Sequence, residues 1–109
     1  MTIKLPKAIE AYFEADRIGS PDAVVAAFTH DGVVKDKYKT HRGQDAIRAW
    51  MVEAGQLYTY TAEPFSLGAE NGKTQVTAHV VGTFPGSPID LRFFFVLNGD
   101  KVAQLEITV

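Results

Sequence analysis

The feature that most limits what this chain can become is its second half, four alternating apolar/polar runs separated by tight-turn signals. The runs cover residues 58–69, 74–84, 89–97 and 101–109. Asn71-Gly72 and Asn98-Gly99 are dipeptides that accept the left-handed backbone of a two-residue hairpin, and Pro85-Gly86-Ser87-Pro88 marks a further turn. Val76, Ala78 and Val80 alternate with Gln75, Thr77 and His79, while Ile89, Leu91, Phe93, Phe95 and Leu97 share one face. Ala103, Leu105, Ile107 and Val109 should form the inner face of the last run. Pro64 cannot donate to a strand ladder, so it predicts a bulge or an edge position.

The first half has helical periodicity instead. Leu5, Ile9, Tyr12, Phe13 and Ile18 form a stripe that ends at Gly19. Ser20 as N-cap, Pro21 in the first helical position and Asp22 near the positive end start a second helix over 23–28, stopped around His30-Asp31-Gly32. Residues 33–39 read as one or two short strands. Gly43-Gln44-Asp45 opens a third helix with Ile47, Trp50, Met51 and Ala54 on its apolar side and Gly55 past its end. Helices followed by hairpin-connected strands predict an α+β fold with an antiparallel sheet. Three helices cover only one sheet face, so the sheet must curl around them.

At 109 residues, the chain is expected to form one domain over 1–109. Such a length buries roughly two-thirds of the unfolded surface without staples. With 46% hydrophobic and 22% charged residues, disorder is not expected, and a formal charge of −2 with mixed signs offers no field for nucleic acid or anionic membrane. Cysteine is absent, which removes disulfides, thiolate metal sites and a cysteine nucleophile. With no apolar run of transmembrane length and no signal-peptide pattern at residues 1–6, the expected location is the cytoplasm. His30, His41 and His79 lack neighbours at metal-ligand spacing, so neither metal nor cofactor is expected.

Three segments carry a resemblance to a known family. They are Gly19-Ser20-Pro21-Asp22-Ala23-Val24-Val25 leading to Phe28-Thr29-His30-Asp31-Gly32-Val33-Val34, then Arg42-Gly43-Gln44-Asp45-Ala46-Ile47-Arg48-Ala49-Trp50, then Gly82-Thr83-Phe84-Pro85-Gly86-Ser87-Pro88. In order and spacing, they resemble the nuclear-transport-factor-2-like superfamily, in its SnoaL-like polyketide cyclase and ketosteroid-isomerase-like branch. The resemblance implies a cone-shaped curved sheet, largely antiparallel, with the helices in its concavity enclosing an apolar pocket, and a homodimer through the outer face. Phe94 and Val96 lie on that outer face. Phe13, Trp50, Phe93, Phe95, Leu105 and Ile107 would line the pocket and suit a hydrophobic small molecule. The alternative is that these side chains simply fill the core.

The same resemblance places two catalytic candidates. Tyr12, seven residues before Gly19, matches the tyrosine that hydrogen-bonds a developing enolate, and Asp36 matches the carboxylate base. A carboxylate in an apolar cavity has a raised pKa and takes a proton beside a carbonyl, while a phenol stabilises the charge that forms. Asp36 between Lys35 and Lys37 has a second reading as a solvated strand-end charge, and Tyr12 one as a core residue. The isomerases pair their tyrosine with a protonated aspartic acid on a later strand. Asp90 is the nearest here, but its parity and that of Arg92 point both to solvent or a dimer interface as an ion pair. Phe28 stands where some relatives carry a supporting tyrosine, so the expected oxyanion site is incomplete. Asp90-Leu91-Arg92 is similar to the Arg/Asp clusters of epoxide hydrolases of this fold, with the order reversed and no second Asp. Three functions follow: a SnoaL-like binding domain for a hydrophobic ligand, an isomerase or cyclase using Asp36 and Tyr12, or a dimerising domain without catalysis.

Overall fold

A computed structural model describes residues 3–109. Its helices are α1 (Lys7–Ile18), α2 (Pro21–Ala26) and α3 (Gln44–Leu57); its strands are β1 (Phe28–Asp36), β2 (Lys39–Arg42), β3 (Tyr60–Glu70), β4 (Lys73–Gly82), β5 (Ile89–Asn98) and β6 (Lys101–Thr108). The sheet order is β2-β1-β6-β5-β4-β3. All pairings are antiparallel except β1 with β6, so the sheet is mixed, and β2 and β3 remain open edges. Helix α1 touches both β6 and β3 although β5 and β4 lie between them. One helix reaches strands that far apart only if the sheet bends around it. Helix α3 covers the β1–β2 end. No described helix is long and apolar enough to cross a membrane.

The first helix buries Ile9, Tyr12 and Phe13, but its inward stripe continues to Asp16, not to Ile18, which is 57% exposed. Spacing explains the correction: Ile9, Tyr12/Phe13 and Asp16 follow the 3.6-residue period, and Ile18 rotates off it. Gly19 ends the helix in the left-handed region at φ 71°, donating its N–H to the Asp16 carbonyl. Ser20 caps α2, its Oγ accepting from the Ala23 N–H at 3.1 Å, with Pro21 in the first turn. The second helix is shorter than its apolar run suggested, because Phe28 already belongs to β1, where Gly32 folds back against its ring. Gly55 lies inside α3 and does not terminate it. An exposed glycine costs a helix only about 1 kcal/mol.

Register shifts on β1, β3 and β6 set which side chains point inward. Pro64 lies both on an edge strand and beside a register shift between Pro64 and Ser66. On β6 the register runs from Gln104 opposite Val96 to Val102 opposite Leu97, skipping Ala103. Val102 therefore joins Leu105 in the core, and the simple alternation through Ala103 fails because a bulge inverts parity. On the outer face, Phe94 and Val96 are half-buried. Asp90 and Arg92 do not pair. Asp90 Oδ1 instead lies 2.7 Å from Nδ1 of His79, its direct cross-strand partner, and Arg92 donates to the Val109 oxygen at 3.1 Å. A directly opposed side chain is closer than one two residues along the same strand.

The two-residue hairpin loops differ in their chemistry. The β3–β4 loop uses Asn71 and Gly72 at φ 53° and 76°, residues that tolerate this geometry. The β1–β2 loop, closed by Asp36 opposite Lys39, puts Lys37 and Tyr38 in the same region at φ 52° and 64°. Such a conformation costs an ordinary L-residue about 1–2 kcal/mol. The double substitution Lys37→Asn/Tyr38→Gly is therefore expected to stabilise the protein by about 1–2 kcal/mol, the added glycine's unfolded-state entropy offsetting part of the gain. Denaturant unfolding with an unchanged m-value checks it; a midpoint that fails to rise contradicts the strain.

Candidate functional site

Between α1, α3 and the concave sheet face lies a cavity of about 390 Å³. Five of the expected residues converge on it: Tyr12, Asp36, Trp50, Phe93 and Ile107. Phe13, Phe95 and Leu105 are not among its walls. Phe13 packs edge-on to Phe93 and Phe95 at ring distances of 5.1 and 6.0 Å, Phe95 is 1% exposed, and Leu105 opposite it is sealed. These three fill the core behind the cavity. Their places as walls are taken by Leu91 and Ala62 from the sheet, and by Phe84 and Pro85 from the β4–β5 loop.

One end of the cavity is polar. Tyr12 and Asp16 are four residues apart on α1 and so share a face. The Tyr60 hydroxyl donates to Asp16 Oδ1 at 2.6 Å, joining the last turn of α1 to the start of β3. Burial raises the Asp16 carboxyl above its ordinary value, against the opposing effect of the Tyr60 hydrogen bond. Burial, then the negative charge of Asp16, likewise pushes the Tyr60 phenol up, so it stays a neutral donor. Tyr12 is raised well above the usual phenol value by burial first, then by Asp16, Tyr60 and Asp36. Among the described residues no side-chain oxygen or nitrogen is both sealed and unpartnered. Since among the described residues no group bonds the Tyr12 hydroxyl, that oxygen opens onto the cavity.

Asp36 faces the same space from the end of β1. It is half-buried rather than solvated, and the Trp50 indole N–H donates to its Oδ2 at 3.1 Å. Beside it the Lys37 ammonium lies 5.4 Å from the centre of the Tyr58 ring, both at the cavity wall. The position of Tyr60 depends on Gly82. A Cβ there would fall 2.3 Å from the Thr59 carbonyl oxygen and 2.6 Å from the Tyr60 Cβ, so only glycine lets β3 approach β4 this closely. Among the described residues no group of His, Asp and Glu is arranged to hold a metal ion.

Asp16 and Tyr60 are the functional candidates that the pattern of residues did not single out. A signal existed for Asp16: it continues the stripe of Ile9 and Tyr12 with a charge, where the period demands an inward residue. Nothing local pairs it with Tyr60, 44 residues away.

This architecture has known counterparts. A SnoaL-like domain family model matches residues 9–105. A Sinorhizobium meliloti protein proposed to be a polyketide cyclase is 38% identical, with 95% of each chain covered and a TM-score of 0.89. A Catenulispora acidiphila protein with a ketosteroid isomerase-like fold, solved with trimethylamine, is 16% identical over 97% of this chain and 87% of its own, with a TM-score of 0.83. SalBIII, an epoxide hydrolase/cyclase-like enzyme of pyran ring formation in salinomycin, is 21% identical over 93% and 86%, with a TM-score of 0.78. No curated protein matches the chain. The family match spans most of the chain and the structural neighbours superpose on nearly all of it: the chain belongs to the SnoaL-like family, within the nuclear-transport-factor-2-like fold.

Proposed function

We propose that the protein binds a hydrophobic carbonyl compound in the 390 Å³ cavity and moves a proton on the carbon beside its carbonyl, as an isomerase or cyclase. The observation that carries this reading is that Tyr12 and Asp36, 24 residues apart in sequence, line one largely apolar cavity. Trp50 holds one oxygen of Asp36, leaving the other to take the proton. The C–H electron pair then forms the carbon–carbon double bond and the carbonyl becomes an enolate oxygen. The open Tyr12 hydroxyl, kept neutral by burial, donates to that oxygen. Reprotonation at another carbon completes an isomerisation; attack on a second carbonyl closes a ring. The resemblance to a protein proposed to be a polyketide cyclase supports the second outcome.

Asp16 is the second carboxyl of the cavity, in place of an aspartic acid on a later strand. Asp90 is exposed and engaged with His79 on the outer face, so it cannot serve. Asp16, raised by burial and adjacent to Tyr12 on the same helix face, puts a carboxyl that holds its proton to higher pH at this end of the cavity. Ligand binding without turnover is the second reading, and it needs only the apolar walls. A dimerising domain without a ligand needs no such cavity.

Proton exchange at the α-carbon of cyclic ketones in heavy water, followed by NMR, separates these readings. Asp36→Asn is expected to slow exchange by about a hundredfold or more, and Tyr12→Phe by about a hundredfold. Saturable binding with no exchange in the unaltered protein would leave the binding reading alone. Asp16 also predicts a pH dependence of stability. Its folded-state pKa is raised, so the native state holds the extra proton between the ordinary carboxyl value and the raised one. Its contribution is complete below the ordinary value and is lost as pH rises through the folded one. Asp16→Asn should flatten that decline in a series of thermal melts; an unchanged slope would place the proton elsewhere.

A further inference from the structure

The β1–β2 loop holds Lys37 and Tyr38 in a left-handed geometry for which the same chain uses Asn71 and Gly72 elsewhere. Backbone held this way persists where the side chain's position matters. The Lys37 side chain lies at the junction of two spaces, the 390 Å³ cavity and an adjoining groove of about 640 Å³, and it borders both. Its ammonium rests over the Tyr58 ring. A cation against an aromatic face keeps its remaining donors available. Lys35 and Lys39 border the same groove, and among the described residues none of the three lysines is paired with a carboxylate. The acceptors nearby are already engaged: Asp36 by Trp50 at 3.1 Å, Glu106 by Lys73 at 3.9 Å, and the Val109 oxygen by Arg92 at 3.1 Å.

We infer that the ligand has an anionic group at the end of its apolar body, and that Lys37 at the cavity mouth recognises it. This deepens the proposed function and rests on its reading of the cavity as a ligand site. The apolar body would lie between Trp50, Phe93 and Leu91, with the carboxylate, sulfonate or phosphate reaching out to the ammonium. Lys37 contributes charge without covalent chemistry, and Lys35 and Lys39 border the same groove, offsetting the carboxylates of Asp36 and Glu106 there.

Two fluorescent probes with one ring system test it: the anionic 1-anilinonaphthalene-8-sulfonate and the neutral N-phenyl-1-naphthylamine. Each should displace the other, and the sulfonate should bind about five- to tenfold more tightly at low salt. Lys37→Asn keeps the loop conformation, since asparagine tolerates it, and should erase this preference by weakening the sulfonate more than the neutral amine. Lys37→Arg should retain the preference. Equal affinities in the unaltered protein, or a preference that survives Lys37→Asn, would overturn the inference and leave the cavity reading intact. If neither probe binds, the reading of the cavity as a hydrophobic site falls, and this inference falls with it.

Discussion

The interlocking of α1 with β5 is the contact on which the remaining architecture depends. Tyr12 and Phe13 present adjacent rings to Phe93 and Phe95, at centroid distances of 5.1–6.4 Å and mostly edge-to-face. Each such pair contributes about 0.5–1.5 kcal/mol beyond its buried area. More important is the geometry this imposes. A helix seated on the middle of the sheet forces the flanking strands to bend toward it if their own apolar faces are to be covered. Bending brings β3 to the far side of α1 and leaves a space where α1 and α3 do not meet across the concave face.

That space carries a division of labour among aromatic residues. The deep rings, Phe13, Phe28 and Phe95, complete the core with negligible exposure. Trp50, Tyr58, Tyr60 and Phe84 stand at intermediate depth and form walls. The polar members of this wall are each tied to a carboxylate or left open: Trp50 to Asp36, Tyr60 to Asp16, and Tyr12 open to the cavity. In an apolar enclosure such groups act at low effective dielectric, which strengthens any hydrogen bond they offer to a ligand. The strained Lys37 borders the cavity beside Tyr58, and the close approach at Gly82 sets the position of Tyr60 in the same wall. Both positions depart from what local stability favours, a pattern found where function has shaped a structure.

Much of the fold was legible because its signals are local. The hairpin at Asn71-Gly72, the cap at Ser20-Pro21 and the stop at Gly19 depend on backbone preferences of two or three residues, and each occurs where the residues indicate. The errors arose where a local pattern met a longer-range one. Alternation through Ala103 fails at a bulge that shifts β6 relative to β5, and Ile18 is apolar yet off the α1 stripe, whose period points to Asp16. The expected ion pair of Asp90 with Arg92 gave way to a partner across the strands, His79.

By itself the order of residues determined the kinds of element, their sequence along the chain and the α+β class, since periodicity and turn chemistry act within a few residues. Through family resemblance it also brought Tyr12 and Asp36 forward as a pair. Only the tertiary structure decided depth: which inward residues seal the core and which stop short of it to leave a cavity. Periodicity reports the face a side chain takes but not what stands opposite. The Tyr60–Asp16 bond, like the curvature that permits it, is made between segments whose meeting no local pattern encodes.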